Sequence, residues 1–366
     1  MIDKGKISAI QMAYIMYPTI LATAILLVPA ITAKTAGRDL WLSPVWASIT
    51  GFITVFIATR LNNYYPDMSL IEFSEHIVGR WIGKLLGFFY LLFFLHITAI
   101  IIREYGEFIV GSFLRNTPIS VVMATMVLVC AFNVRGGVEV VGRTAQMFVP
   151  IVLFLFICIV ILLIPDLHPK NMLPILEHGL KPSLMGSLVP TGWFSEFILI
   201  TFLLPCMTDR NKGTKWGMIA VATVMLTIVI TNLASYFLFG ALTSTLVYPV
   251  MVAARYISIA DFFEHLEAFV MAIWVGGTFV KISMFYYAIV AGTAQWLKLS
   301  DFRPLTLPIG FILVMISIWT APNLQELVHF LSSVSPFYFL SFQTVIPALL
   351  LLLIMVKSRS RQSRGT

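Results

Sequence analysis

The chain has 366 residues, of which 59% are hydrophobic and only 11% charged, with a mean hydropathy of +0.93. Soluble domains carry about 25% charged residues, so this composition excludes a soluble domain and predicts an all-α integral membrane protein. The net charge of +7 comes from basic residues spread over connections and the tail, the pattern of positive membrane loops rather than of a nucleic-acid surface.

At about 20 apolar residues per crossing, the chain has room for roughly ten helices. They fall at residues 8–33, 42–61, 85–113, 118–133, 144–164, 187–207, 216–239, 266–295, 305–321 and 335–356. Barrel strands would alternate polar and apolar residues, whereas Leu85–Ile102 and Ile151–Ile164 are continuously apolar. The first span follows Lys4 and Lys6 and contains Ala22-Thr23-Ala24, in the manner of a signal peptide and its cleavage triplet. Its apolar run continues through Ile25–Ile31, which predicts a retained span.

The connections read simply. Pro66–Lys84, with Glu72, Glu75 and His76, is predicted to be amphipathic. Asp166–Ser183 is a proline-rich surface segment, Pro249–Glu264 is a candidate interfacial helix, and the basic tail 357–366 is expected to be disordered near anionic lipid. With the N-terminus inside, sixteen Lys and Arg residues fall on the cytoplasmic side, six on the other, and Arg103 and Lys281 lie within spans. This count predicts that both termini are cytoplasmic.

Ten spans with both ends inside divide into five plus five, 8–164 and 187–356, the condition for an inverted-topology repeat. Each repeat should open with a discontinuous helix. The first span offers Pro18 and Pro29 around Ala22-Thr23-Ala24, and the sixth offers Pro190, Gly192 and Pro205. Proline removes a donor and glycine loosens the helix, so a break is expected within Pro190–Ser195. Such a break is tolerated only where protein or a water-filled cavity covers the freed backbone. A kinked span with Glu196 close to the outer interface is the plainer alternative.

Charges inside a bilayer are functional candidates by default. In the third span Arg103 and Glu107 stand at i, i+4 and can pair, beside Glu104. Arg103 lies about 27 Å from Leu85 along the helix, so a wet, charged helix end is one reading of this trio. A pocket wall of Thr98, Ile101, Ile102 and Tyr105 is the companion reading. Lys281 lies midway along the eighth span, too deep to snorkel, and needs an anionic or carbonyl partner. Glu196 and the carbonyls of a broken first span are the candidates. Lys281 is either a structural ammonium in place of a coupling cation or a proton carrier. Gly276-Gly277, one turn earlier, would admit a closely packed helix, and Ser283 and Tyr287 could reach a ligand. His96 reads as a satisfied buried histidine. No nucleophile elbow, nucleotide loop or metal-binding spacing occurs, and Cys130, Cys158 and Cys206 form no CxxC. The reading therefore includes no catalytic role, no cofactor and no metal.

Ten spans, with YPTILATAILLVP in the first, PTGWFSEFILITFLLP in the sixth, GGTFVKISMFYYA in the eighth and a short basic tail, resemble the amino acid/polyamine/organocation (APC) transporter superfamily. More narrowly, they resemble the B subunits of the nutrient germinant receptors of endospore-forming bacteria. That resemblance implies an APC-type fold with broken first and sixth helices, used for sensing. It implies a small-molecule germinant, and the apolar wall favours a small neutral or apolar amino acid over a sugar or nucleoside. An A-type membrane subunit and a C-type lipoprotein subunit would be partners in the spore inner membrane. It also places the ligand between Ala22, Thr23, Ala24 and Ile25 on one side and Gly192, Trp193, Phe194 and Ser195 on the other. Ile101, Ile102, Tyr105, Ser283 and Tyr287 would surround its side chain. The chain departs from the superfamily in having alanines where Gly-x-Gly is common. An ion-coupled amino acid permease and a passive conduit for water or ions are the competing functions.

Overall fold

A computed structural model of the chain describes residues 3–256 and 266–362. Its helices are α1 (Ala9–Ala36), α2 (Leu42–Tyr64), α3 (Leu70–Val78), α4 (Arg80–Ser112), α5 (Ile119–Arg135), α6 (Val138–Leu163), α7 (Lys181–Gly186) and α8 (Leu188–Ser195). They continue with α9 (Ile200–Leu203), α10 (Gly213–Phe239), α11 (Pro249–Tyr256), α12 (Glu267–Leu297), α13 (Thr306–Thr320), α14 (Leu324–Ser333), α15 (Ser335–Leu340) and α16 (Ile346–Gln362). Among the described residues the only extended pairing is the isolated bridge between Ile7 and Met207.

Nine helical stretches among the described residues are long and apolar enough to cross a membrane. The remaining expected span, 118–133, is the 17-residue α5, at the short end of the crossing range of about 17–25 residues. We call the end of the bundle that carries Asp3, Arg210 and Arg303 the basic face, and the opposite end the far face.

α1 is the central pillar, and its apolar stretch is buried on every side, as expected of a helix that is hydrophobic all round. Its start is fixed by a capping box between Ser8 and Gln11, and the Ala9 N–H donates to Asp209 Oδ1 at 2.8 Å. The expected break in this helix is absent, since all 28 residues from Ala9 to Ala36 are helical. Pro18 and Pro29 do remove the in-helix donors of the Tyr14 and Ile25 carbonyls. Between them, however, Ala22 and Ala24 favour the helix where glycines would favour its opening.

The sixth span is irregular, but later than expected. Gly192–Ser195 are the last turn of α8, and the winding tightens to a 3-10 turn over Glu196–Leu199 before α9 and a second such turn at Leu204–Cys206. The last span is interrupted as well, by a π turn over Ser341–Val345 between α15 and α16. Short 3-10 and π turns inside helices commonly sit at functional positions. The rest of the chain frames this core. α3 is the amphipathic helix expected after Pro66, capped reciprocally by Ser69 and Glu72. It crosses α4 so closely at Gly83 that a Cβ there would lie 2.3 Å from the Glu75 Cα. The segment after α6 folds over the far face, where Arg38 pairs with Glu177 at 3.1 Å. The helical part of the predicted interfacial connection is α11, and its remainder, 257–265, lies outside the described residues. The tail departs from expectation: α16 carries the helix through Lys357 to Gln362, because an already formed helix propagates at little cost.

Candidate functional site

Two irregular spans and one intact pillar meet around a buried charge pair. Lys281 on α12 donates to Glu196 at 2.8 and 3.0 Å, and to the Thr23 hydroxyl of α1 at 3.0 Å. Both charged side chains are essentially inaccessible, at 0% and 1% exposure. Glu196 is therefore deep in the bundle, and the outer-interface alternative fails because the 3-10 turn aims its carboxylate inward. All three ammonium protons have acceptors, and Phe285 offers its ring at 5.7 Å, so the buried ion is both paired and hydrogen-bonded, as a buried pair requires. The Trp193 indole N–H donates to the same Thr23 oxygen at 2.8 Å. Thr23 thus ties the first, sixth and eighth spans together. Close approach of α1 and α12 is possible because Gly277 faces Ala22, where a Cβ would come within 3.3 Å of the alanine's own.

On the far-face side of this clamp is a nearly closed cavity of about 10 Å³, lined by Thr23, Leu26 and Leu27 of α1, Glu104 of α4, Trp274 of α12, Tyr248, and Leu324, Leu327, Val328 and Leu331. Beyond it opens a chamber of about 370 Å³ toward the far face, bounded by Ala30, Ile31, Lys34 and Thr245–Val247 and sharing Leu27, Leu324 and Val328 with the cavity. Leu324 and Val328 of α14, with Leu27 of α1, are common to both spaces and form the partition between them. Glu104 is only 6% exposed, and its Oε1 has no hydrogen-bond partner among the described residues. Trp274 lines the same cavity, and its Nε1 is also without a partner among those residues.

Ala22, Ala24 and Ile25 are buried along α1; in the unbroken helix the Ala22 and Ala24 carbonyls keep their helical donors, and only that of Ile25 is released, by Pro29. Gly192 abuts Phe339 of α15, with 3.1 Å to a notional Cβ. Phe194 fills the groove at Gly51 of α2. Ser195 donates to the Gly192 carbonyl and to the Gln343 side chain in the π turn. Ile101 and Ile102 are core residues, while Tyr105 stacks on Trp274 with ring centres 5.6 Å apart and so supports the cavity from behind.

Ser283 and Tyr287 do not join the site. Ser283 accepts from Asn133 Nδ2 at 3.0 Å, and the Tyr287 hydroxyl donates to Asp3 Oδ2 at 3.1 Å. Six residues beyond Lys281 on a helix rising 1.5 Å per residue, Tyr287 lies about 9 Å nearer the basic face. Nor are the third-span charges a wet helix end. Arg103 is 6% exposed, pairs with Glu107 at 2.7 Å and donates to the Ile318 and Pro322 carbonyls at the end of α13. His96 is beside the Tyr338 hydroxyl, with its Nδ1 3.3 Å away. Trp274 and Gln343 are the additions the structure makes, and Glu104, one of three neighbouring charges in the sequence, takes a place on the cavity wall. Trp274 shares the Lys281 face of α12 at i, i+7, a spacing visible in the sequence.

An all-helical bundle with irregular spans around a buried ionic clamp and a gated cavity is a transporter-type fold. A solved Na+-coupled sialic acid symporter, in a substrate-bound outward-open state, superposes with a TM-score of 0.65 over 93% of this chain and 80% of its own. At 13% identity the likeness concerns the fold alone.

The chain belongs to the spore germination protein family, whose model matches residues 6–325. It is 28% identical to spore germination protein KB of Bacillus subtilis (strain 168), over 99% of this chain and 98% of that one. It is 25% identical to spore germination protein YndE of the same organism over 98% of both chains.

Proposed function

We propose that this chain is the membrane subunit of a spore nutrient-germinant receptor that binds a small germinant, in the first instance an amino acid, and signals germination. In this reading the basic face is cytoplasmic, the spans form two inverted five-helix repeats, and an A-type membrane subunit and a C-type lipoprotein complete the receptor in the spore inner membrane. The family membership and the transporter-type fold support it. The observation that carries it is the gated cavity between Thr23, Glu104 and Trp274, directly over the satisfied Lys281–Glu196 clamp. A ligand there would act by population shift, favouring whichever arrangement of α14 and the clamp it binds better, by its differential affinity alone. At about 10 Å³ the cavity holds roughly one water, so a ligand must enter by displacement of α14 from the chamber outside.

The test uses spores and liposomes together. Spores lacking this chain should lose the response to at least one nutrient. Val328→Phe, at the partition between cavity and chamber and away from the clamp, should reproduce that loss while the protein still accumulates in the membrane. Unchanged germination to every nutrient in the deletion strain rules the receptor reading out. The likeness to an ion-coupled symporter keeps one alternative open to the same materials, an amino acid permease. It requires accumulation of labelled amino acid in proteoliposomes that collapses with the ion gradient, whereas a sensor binds without net uptake.

A further inference from the structure

The buried charges in and just beyond the clamp do not cancel. Lys281 is matched by Glu196 and Arg103 by Glu107, which leaves Glu104 as a buried carboxylate whose Oε1 has no partner among the described residues. An unpaired ion at such a position is costly and calls for a cation or a proton. Trp274, which lines the same cavity, carries a donor with no acceptor among the described residues, Nε1, and its ring is held in place by Tyr105 and by Phe108, whose ring centre lies 4.3 Å away. The backbone acceptors that an opened first helix would offer an ammonium are absent, because the carbonyls around Ala22–Ala24 stay in the helix.

We infer that Glu104 is the ammonium-binding group of this cavity and that Trp274 Nε1 donates to the acceptor end of the ligand, so that the ligand is a small amine-bearing zwitterion. The inference rests on the reading that the cavity takes a ligand at all. A zwitterion satisfies both groups at once. A bare metal cation would gain no ligand from an indole N–H or from a Thr23 oxygen already accepting from Lys281 and Trp193, and a neutral sugar would bring no cation, so that Glu104 would have to stay protonated.

The experiment is a thermal-shift titration of the full chain in lipid nanodiscs with the twenty amino acids, their N-acetyl derivatives, glucose and inosine. At least one free amino acid should stabilise the protein and its N-acetyl derivative should not. Glu104→Gln should bind that amino acid roughly 10- to 100-fold more weakly, the loss expected for a charge-assisted hydrogen bond. Without ligand this variant should melt no lower than wild type. Glu104→Asp should keep the preference for the free amine. If the glutamine variant does not fold, the contrast between free and N-acetylated ligand on the wild type decides alone. Binding confined to glucose or inosine overturns the assignment, as does equal affinity in Glu104→Gln or no stabilisation by any free amino acid. Each of these leaves the receptor reading to the spore experiment, which does not depend on Glu104.

Discussion

One helix passes through two environments. On the far-face half of α12, Trp274 Nε1 and Thr278 Oγ1 have no hydrogen-bond partner among the described residues, and the small cavity lies alongside Trp274. On the basic half, Ser283 and Tyr287 are engaged by Asn133 and Asp3. Asp3 in turn accepts from the Val138 and Gly5 N–H groups, at 2.8 Å each. A buried polar group left unpaired costs about 1–3 kcal/mol. The far half therefore has interactions still to gain from a ligand, whereas the basic half has already made its own. The contrast gives the site a direction: it is sealed toward the basic face and poised toward the other. Lys281 is the boundary between the two regimes.

The boundary is where the largest effect is expected. Lys281→Met leaves Glu196 buried without its partner and should cost about 3–5 kcal/mol, seen as collapse of folded yield in size-exclusion profiles. Lys281→Met combined with Glu196→Gln removes both charges and should recover most of that yield. Should the single variant fold as well as wild type, Lys281 is not a structural ammonium and the division between the halves is misplaced.

Next in size is the seal. Asp3→Asn weakens the two contacts that join the N-terminal segment to α6 and α12, with the local one to Gly5, and should cost about 1–2 kcal/mol. Cys206 lies behind them, its sulfur 3.9 Å from the Tyr287 hydroxyl. In a background with Cys130 and Cys158 changed to serine, Cys206 should react with maleimide several-fold faster once Asp3 is neutralised. Equal rates would mean that the basic half is closed by packing alone.

The same contrast explains what could be read from the chain before folding. Span positions, the depth of Lys281, the i, i+4 pairing of Arg103 with Glu107 and the glycines that admit a neighbouring helix follow from hydropathy and helical spacing, which are local properties. The partner of Lys281 was one of two options, because 85 residues separate it from Glu196 and no local rule spans that gap. Ser283 and Tyr287 share a helical face, and spacing showed that much. That this face meets Asn133 and Asp3 depended on how α5 and the N-terminal segment dock. Glu104 was hidden by its neighbours, since three charges within five residues suggest a solvated end until two of them are seen to pair. The break expected in the first span came from weighting two prolines above two alanines, and the helix is unbroken. Gln343 was not legible, because a π turn shifts the register on which side-chain direction is judged.

The smallest effect sharpens the comparison at the level of a single interaction. Arg210 and Asp67 at the basic face are the same kind of pair as Lys281 and Glu196, 2.8 Å apart, but the Asp67 side chain is 75% exposed. The Arg210 guanidinium holds the Asp67 carboxyl below its ordinary range. A carboxyl depressed in the folded state stabilises fully above its unfolded value, near 4, and loses that contribution as pH falls through the lower folded one. The melting difference between wild type and Asp67→Asn should therefore be constant from pH 7 to pH 5 and shrink below about pH 4. Water screens the pair, so the difference should be only about a degree and should vanish in 1 M salt. Salt should leave the Lys281–Glu196 pair untouched, because no counter-ion reaches it. A salt-insensitive Asp67 would show that exposure does not separate the two pairs, and would remove the ground for treating the dry one as the boundary of the site.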